Sequence, residues 1–388
     1  RHVIERSGDR WFLPATIVSN GPFRLDQWVV NDHLRVIRSD SYWGRGQVRL
    51  RSVDYLPTEN TMTNLNLYLT GAIDWIPQYF PYQLGPELRK RKDYYSVPGL
   101  SIYYYRFNVT RPPLDDRRVR KALNLAIDRE LITRHVGSLG QVPTSTFVPP
   151  GLPGYAGPES HVRPNVEEAR RLLAEAGFPG GKGFPHLAIL YNTNEDHKRM
   201  AEVVSDELRR ALAIDVTAYN QEWQSFLDTV RGLDYDMARA GWIGDYGDPE
   251  TFLGSWVTGG ANNQTGYSSE LYDRLIRMAT DVRRLLPDPE PLLAELKDPE
   301  PIRALLATAR QAPPAEQRAA RDQIRLLLFR EAERLLVEDD VPIMPIYFYV
   351  DAGLIRERVH GFHQRMMVED VTLGVRDLWV EGPREAPP

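Results

Sequence analysis

Between Leu187 and Ala218 the hydrophobic pattern changes period twice. A short apolar run, Leu187 to Asn192, reads as a buried strand, Asp196 to Ala211 has the length and pattern of a helix, and Ile214 to Ala218 is apolar and strand-like again. A strand, a covering helix and a returning strand form a parallel pair, because a tight hairpin cannot join parallel neighbours. This β-α-β unit commits the chain to the α/β class.

The elements around it are mixed. Gly21 to Val36 alternates around a hairpin, and Val48 to Tyr55 repeats the strand pattern. Glu59 to Thr70 fits a helix stopped by Gly71, and Leu100 to Asn108 is aromatic and apolar enough for a buried strand. Asp115 and Asp116 open a helix that runs to Arg129, with Val119, Leu123 and Ile127 on one face. Pro143 to Pro164 is a long loop rich in Pro and Gly. Asn165, with Glu168 three residues on, caps a helix that Gly177 ends. Ser269 to Thr280 and Pro314 to Glu338 read as helices, and Pro287 to Pro301 between them as a polar surface insertion. Val341 to Val350 is a strand that two prolines keep from being central along its whole length. The tail after Glu381 carries no ordering signal.

At 388 residues, with 42% hydrophobic, the chain is long enough for about two domains with substantial cores. A net charge of -5 provides no global basic field for nucleic acid, and the run Arg89 to Lys92 reads as a solvated face. Without cysteine there are no disulfides, thiolate metal sites or thiol nucleophiles. The 8 histidines are scattered, Gly183 stands where a phosphate loop needs Ser or Thr, and no Gly-x-Ser-x-Gly elbow occurs. The residues thus carry no cofactor, metal or catalytic signature.

Tyr235 to Pro249 carries the sharpest local signal. An alternating run leads through Arg239, Gly241 and Trp242 to Asp245 and Asp248 at a turn. The glycines allow close backbone approach, and a cation and a carboxylate on either side of an aromatic suit a zwitterion. The alternative is an ordinary strand-to-loop junction with solvated acids. Alternation also puts Tyr103 and Tyr105 on one face of their strand and Tyr104 on the other, so one face is free to line a cleft.

Six segments in order resemble the extracytoplasmic substrate-binding proteins of ABC importers, specifically the oligopeptide-binding, peptide/nickel or family 5 group. They are Ile17-Val-Ser-Asn-Gly-Pro-Phe, Tyr103-Tyr-Tyr-Arg-Phe-Asn, the run Asp116 to Arg129, Tyr219 to Thr229, Tyr235 to Pro249, and Pro345-Ile-Tyr-Phe-Tyr-Val. The resemblance implies a type II clamshell of two mixed-sheet lobes enclosing an extended peptide. One lobe is incomplete here. Residues 1–100 would be a partial lobe I, 101–350 the ligand-binding lobe III, and 351–388 the return to lobe I with its tail.

Carried over by position, Asp245 matches the acid that takes the peptide's α-amino group, and Trp242 and Gly241 match residues along the ligand backbone. Arg239 and His197 match positions that meet the peptide carboxylate, and Trp223, Leu227, Tyr104 and Tyr349 match pocket or hinge-side positions. Implied partners are a short peptide and an ABC permease with its ATPase, with no nucleic acid. The implied location is periplasmic or extracytoplasmic, and the complete protein is expected to be a monomer. Departures from the family are Gly137 in place of a lysine, Arg106 in place of an acid, and the insertion at Pro287 to Pro301. The chain starts where the family is already under way, which points to a fragment or shortened form. A remnant without ligand binding, or a receptor for a cell-wall peptide, glycan or metal chelate, stands as the other reading.

Overall fold

A computed structural model describes residues 2–58, 60–77, 81, 84–135, 139–362 and 375–382. The chain divides into two compact units, Arg1–Val97 with Asp351–Pro388, and Pro98–Val350. Two long strands carry the chain from one to the other.

The smaller unit begins with the expected hairpin. β1 (Phe23–Val29) and β2 (His33–Arg38) pair antiparallel, and β3 (Ser52–Tyr55) adds to β2. The strand at Val48 to Tyr55 therefore starts later than its pattern suggested, after a 3-10 turn at Arg45–Gln47. A helix at Thr61–Leu69 is capped by Asn60, whose side chain accepts from the Thr63 amide, and Gly71 beyond it has φ +84°. β4 (Trp75–Ile76) follows, and β5 (Tyr94–Phe107) crosses into the larger unit. Several large hydrophobic side chains stay on the surface of the smaller unit, including Trp43 at 82% exposure.

In the larger unit the strand regarded as buried from Leu100 is the far part of β5. The helix opened by Asp116 spans only Arg117–Leu125, and a second, Arg129–His135, follows the break. Asp116 caps the first by accepting from the Arg118 amide at 2.8 Å. After β6 (Val142–Pro143), the Pro/Gly loop leads to a helix at Val166–Glu175, capped by Asn165 as anticipated. The β-α-β unit is present as β7 (Leu187–Asn192), a helix at Glu195–Leu212, and β8 (Val216–Gln221), with β7 and β8 parallel. A helix at Trp223–Arg231 leads to β9 (Met237–Ile243), which runs parallel to β7 and antiparallel to β5.

The final crossing strand is β10 (Ile343–Ile355), and the strands lie in the order β10-β5-β9-β7-β8. On its other side β10 has, among the described residues, only short partners, β6 at Tyr347 and Phe348, and β4 at Leu354 and Ile355 within the smaller unit. Pro345 falls where no short partner pairs, and its carbonyl accepts from the Nε of buried Arg129 at 2.7 Å. The prolines thus limit pairing as expected, without excluding the strand from the sheet interior.

One sheet face packs on the helices at Arg117–Leu125, Val166–Glu175 and Glu195–Leu212 through residues such as Phe107, Leu123, Leu173, Ile189 and Val204, all 1% exposed or less. The other face carries Leu190 and Ala238 under Phe226 and Val230. The long helix Pro314–Arg334 packs against Glu270–Thr280 and Glu300–Gln311, and ends in a π-helical turn at Leu335–Asp339.

The presumed insertion at Pro287 to Pro301 needs correction. Leu292, Leu293 and Leu296 are buried, and the segment includes one short helix and the start of another. Pro289, Pro291, Pro299 and Pro301 stand at helix starts, where the missing amide hydrogen costs nothing.

Candidate functional site

The antiparallel ladder fixes which groups of β9 are free. The Gly244 amide donates to the Leu100 carbonyl, so the even-numbered residues of β9 bond to β5 and the odd-numbered ones point to the opposite side. On that opposite side β7 pairs only as far as Ala238, whereas β5 continues to Ile243. The main-chain groups of Gly241 and Ile243 therefore lie on an open edge. Both residues are exposed, Ile243 at 64%. A Cβ at Gly241 would come within 3.3 Å of the Arg239 guanidinium, so a side chain there would crowd the neighbouring cation.

At one end of this edge Arg239 is held in an aromatic and amide setting. Its guanidinium carbon lies 5.2 Å from the Tyr103 ring centroid. Its terminal nitrogens donate to Asn192 Oδ1 at 3.4 Å and to the Tyr349 hydroxyl at 3.3 Å. Tyr103 stacks on Tyr347 at 5.1 Å, and Tyr347 meets Tyr349 edge-on at 5.2 Å. Among the described residues no carboxylate pairs with Arg239, and its Nε is buried without an acceptor. A cation so placed is poised for an incoming anion, since leaving it unpaired is unfavourable.

His197 sits beside this group, 5.6 Å from the Tyr103 ring. Burial, helped by the positive charge of Arg239, lowers its pKa to about 3. The imidazole is therefore neutral at ordinary pH and can offer hydrogen bonds but no charge. Asn194, two residues earlier than the expected helix start, caps this helix by accepting from the amides of Asp196 and His197.

At the other end of the edge one threonine organises the turn. Thr251 accepts from Trp242 Nε1 through its carbonyl at 2.9 Å, and from the Asp245 amide through its hydroxyl at 3.0 Å. The exposed Asp245 carboxylate has no hydrogen-bond or ion-pair partner among the described residues. Asp248 differs: Arg325 grips it with two bonds, 2.8 and 2.6 Å, and it accepts from the Glu250 amide at 2.9 Å. The two acids of the motif thus divide, one free and one structural.

The remaining expected residues do not join this cluster. Trp223 is half-exposed and stacks on Phe226 at 5.8 Å, and Leu227 packs on the group containing Ala238 and Leu190, on the sheet face opposite Arg239. Tyr104, expected at a pocket or the hinge side, is a core residue: 2% exposed, it contacts Phe147 and Trp256 edge-on at 5.2 and 5.8 Å. Alternation along β5 puts Tyr103, not Tyr104, beside Arg239. Asn192, Tyr347 and Thr251 escaped the sequence reading, since only the strand register and the turn after β9 reveal them. Gly137 lies outside the described residues. Among the described residues no group of acids and histidines is arranged to hold a metal ion, and no helix is long and apolar enough to cross a membrane.

Comparison with known proteins gives a consistent picture. Residues 2–264 match the family model of bacterial extracellular solute-binding proteins, family 5 Middle. The chain is 33% identical over 388 residues to the periplasmic oligopeptide-binding protein OppA of Salmonella typhimurium, covering 98% of this chain and 64% of that protein. The chain thus spans less than two thirds of the length of that relative. Among solved structures, the oligopeptide-binding protein OppAIV of Borrelia burgdorferi aligns with a TM-score of 0.70 at 28% identity, covering 98% of this chain and 68% of that one. OppA of Haemophilus influenzae, solved with the peptide RPPGFSPFR, aligns with a TM-score of 0.67 at 28% identity, with the same two coverages.

Proposed function

From the premise that this chain belongs to family 5 of the bacterial extracellular solute-binding proteins, we propose that it captures short peptides for an ABC importer. The observation that carries this reading is the open edge of β9 between the free carboxylate of Asp245 and the uncompensated guanidinium of Arg239. An extended peptide added to such an edge gains main-chain hydrogen bonds whatever its sequence. The charges also set its direction: an α-amino group at Asp245 and a carboxylate toward Arg239 make the peptide antiparallel to β9.

In this reading Gly241 and Trp242 flank the ligand backbone, His197 and Tyr349 support the carboxylate end, and Trp223 and Leu227 offer apolar surface to side chains. The protein performs no reaction; it hands the peptide to a permease and its ATPase outside the cytoplasm, in the periplasm or its equivalent, and works as a monomer.

Calorimetric titration with a tripeptide, its N-acetyl form and its C-terminal amide tests the proposal. Both blocked forms should bind more weakly, and Asp245→Ala should lose affinity for the free tripeptide by about 2 kcal/mol, as for a charge-assisted hydrogen bond. Equal affinity for all three ligands would discredit terminal recognition. A single non-peptide ligand retained through native purification would favour a different solute.

A further inference from the structure

A depression of about 520 Å³ lies between the end of the helix Glu270–Thr280 and the first half of the helix Pro314–Arg334. Four guanidinium groups line it, Arg283, Arg318, Arg321 and Arg325, against two carboxylates, Asp281 and Asp322. Arg318, Arg321 and Arg325 recur at helical spacing and share one stripe of their helix. Like charges gathered this way repel one another unless anions stand among them.

Two of the four are already committed. Arg325 is bound at both nitrogens by Asp248, and Arg283 holds Asp281, which Arg284 also approaches at 3.7 Å. Arg321 donates only to neutral acceptors, the carbonyl and the side-chain oxygen of Gln317 at 3.1 and 2.9 Å. Arg318 has no carboxylate partner among the described residues. Arg318 and Arg321 therefore face an open depression with no carboxylate in ion-pair contact among the described residues, although the acid Asp322 shares the lining.

We propose that this depression binds a small polyvalent oxyanion of the phosphate type, either free or carried on a lipid headgroup. Arg318 and Arg321 supply paired N–H donors, the form in which guanidinium recognises phosphate oxygens. Arg283 and Arg325, each already paired with an acid, form the walls. The inference is independent of peptide capture, because none of its donors belongs to the β9 edge.

Pyrophosphate is the first probe, titrated calorimetrically into the full chain at low ionic strength. Saturable binding with one anion per chain is expected, and the double variant Arg318→Gln, Arg321→Gln should weaken it about tenfold or more. Arg303→Gln, on a helix face where Arg303 pairs with Glu290 and Glu300, should leave it unchanged. A rise in melting temperature of the unaltered chain with pyrophosphate, absent with sodium chloride of equal ionic strength, is a readout that needs no variant. Absence of that rise, or equal weakening by the double variant and Arg303→Gln, overturns the proposal. Flotation with phosphatidylcholine vesicles containing phosphatidic acid, reversed by pyrophosphate, assigns the site to a headgroup; pyrophosphate binding without flotation assigns it to a free anion.

Discussion

His197 shows how one neighbour sets the chemistry of another. Its imidazole is held neutral down to a pKa of about 3 by burial and by Arg239. In the unfolded chain an imidazole takes up a proton near pH 6.5. Between these values the unfolded state binds the additional proton, so the contribution to stability present at pH 7 is lost progressively as pH falls from about 6.5 to about 3. His197→Gln should flatten that part of the profile, which denaturant melts of both proteins at several pH values will measure. The same neutrality predicts that tripeptide affinity stays level between about pH 5 and about pH 6.5, where Arg239 is charged, the ligand carboxylate is ionised and its α-amino group is still protonated. A fall in affinity across that window would show that His197 enters the site charged.

At the level of elements, the Pro/Gly loop after β6 is fastened by a single buried acid. Glu333, on the helix Pro314–Arg334, accepts from the Phe147 and Val148 amides through Oε1 at 2.7 and 2.8 Å, and meets the Tyr155 hydroxyl through Oε2 at 2.5 Å. A Cβ at Gly157 would lie 2.9 Å from the same Oε2, so a larger residue there would push on the carboxyl. Burial raises the pKa of Glu333 to about 7, against the opposing pull of the Tyr155, Val148 and Phe147 hydrogen bonds.

Because the folded pKa exceeds the unfolded one, Glu333 stabilises fully below about pH 4.5 and the contribution fades as pH rises toward 7. Glu333→Gln keeps an acceptor for both amides, so it should cost little stability and remove that slope. Glu333→Leu strands two buried N–H groups and should cost roughly 2 to 6 kcal/mol, at about 1 to 3 kcal/mol for each. Chemical denaturation at pH 5 and pH 8 separates the two outcomes.

Elements also show what the sequence could reveal. The strand at Leu187–Asn192 was legible to the residue because its apolar pattern and its length agree. The cap Asn165 was legible because its side chain and Glu168 stand at capping-box spacing. The buried leucines at Leu292, Leu293 and Leu296 were not, since prolines and acids obscure a helical spacing whose partner helices lie elsewhere in the chain. Asp245 and Asp248 look alike in sequence; their difference rests on Arg325, 77 residues beyond Asp248. Likewise, choosing between Tyr103 and Tyr104 requires the register of β5 on β9.

For the whole molecule, the question is what length of peptide the edge accepts. Arg239 and Asp245 are six positions apart along the chain, at most about 20 Å at roughly 3.3 Å per residue, and the turn after Ile243 shortens the span. A peptide that satisfies both charges is therefore limited to about six residues, and shorter ones reach both ends only as the side chains extend toward them. Affinity across a series from dipeptide to octapeptide should rise to a maximum at or below about six residues. Beyond it, N-acetylation should still weaken binding whereas C-terminal amidation should cease to matter, because the carboxylate has passed Arg239. A ligand at one hundred times its dissociation constant should also stabilise the chain by about 2.7 kcal/mol, provided it binds only the folded state. If octapeptides lose affinity on amidation as strongly as tripeptides do, the carboxylate is held somewhere other than Arg239, and the direction assigned to the peptide fails with it.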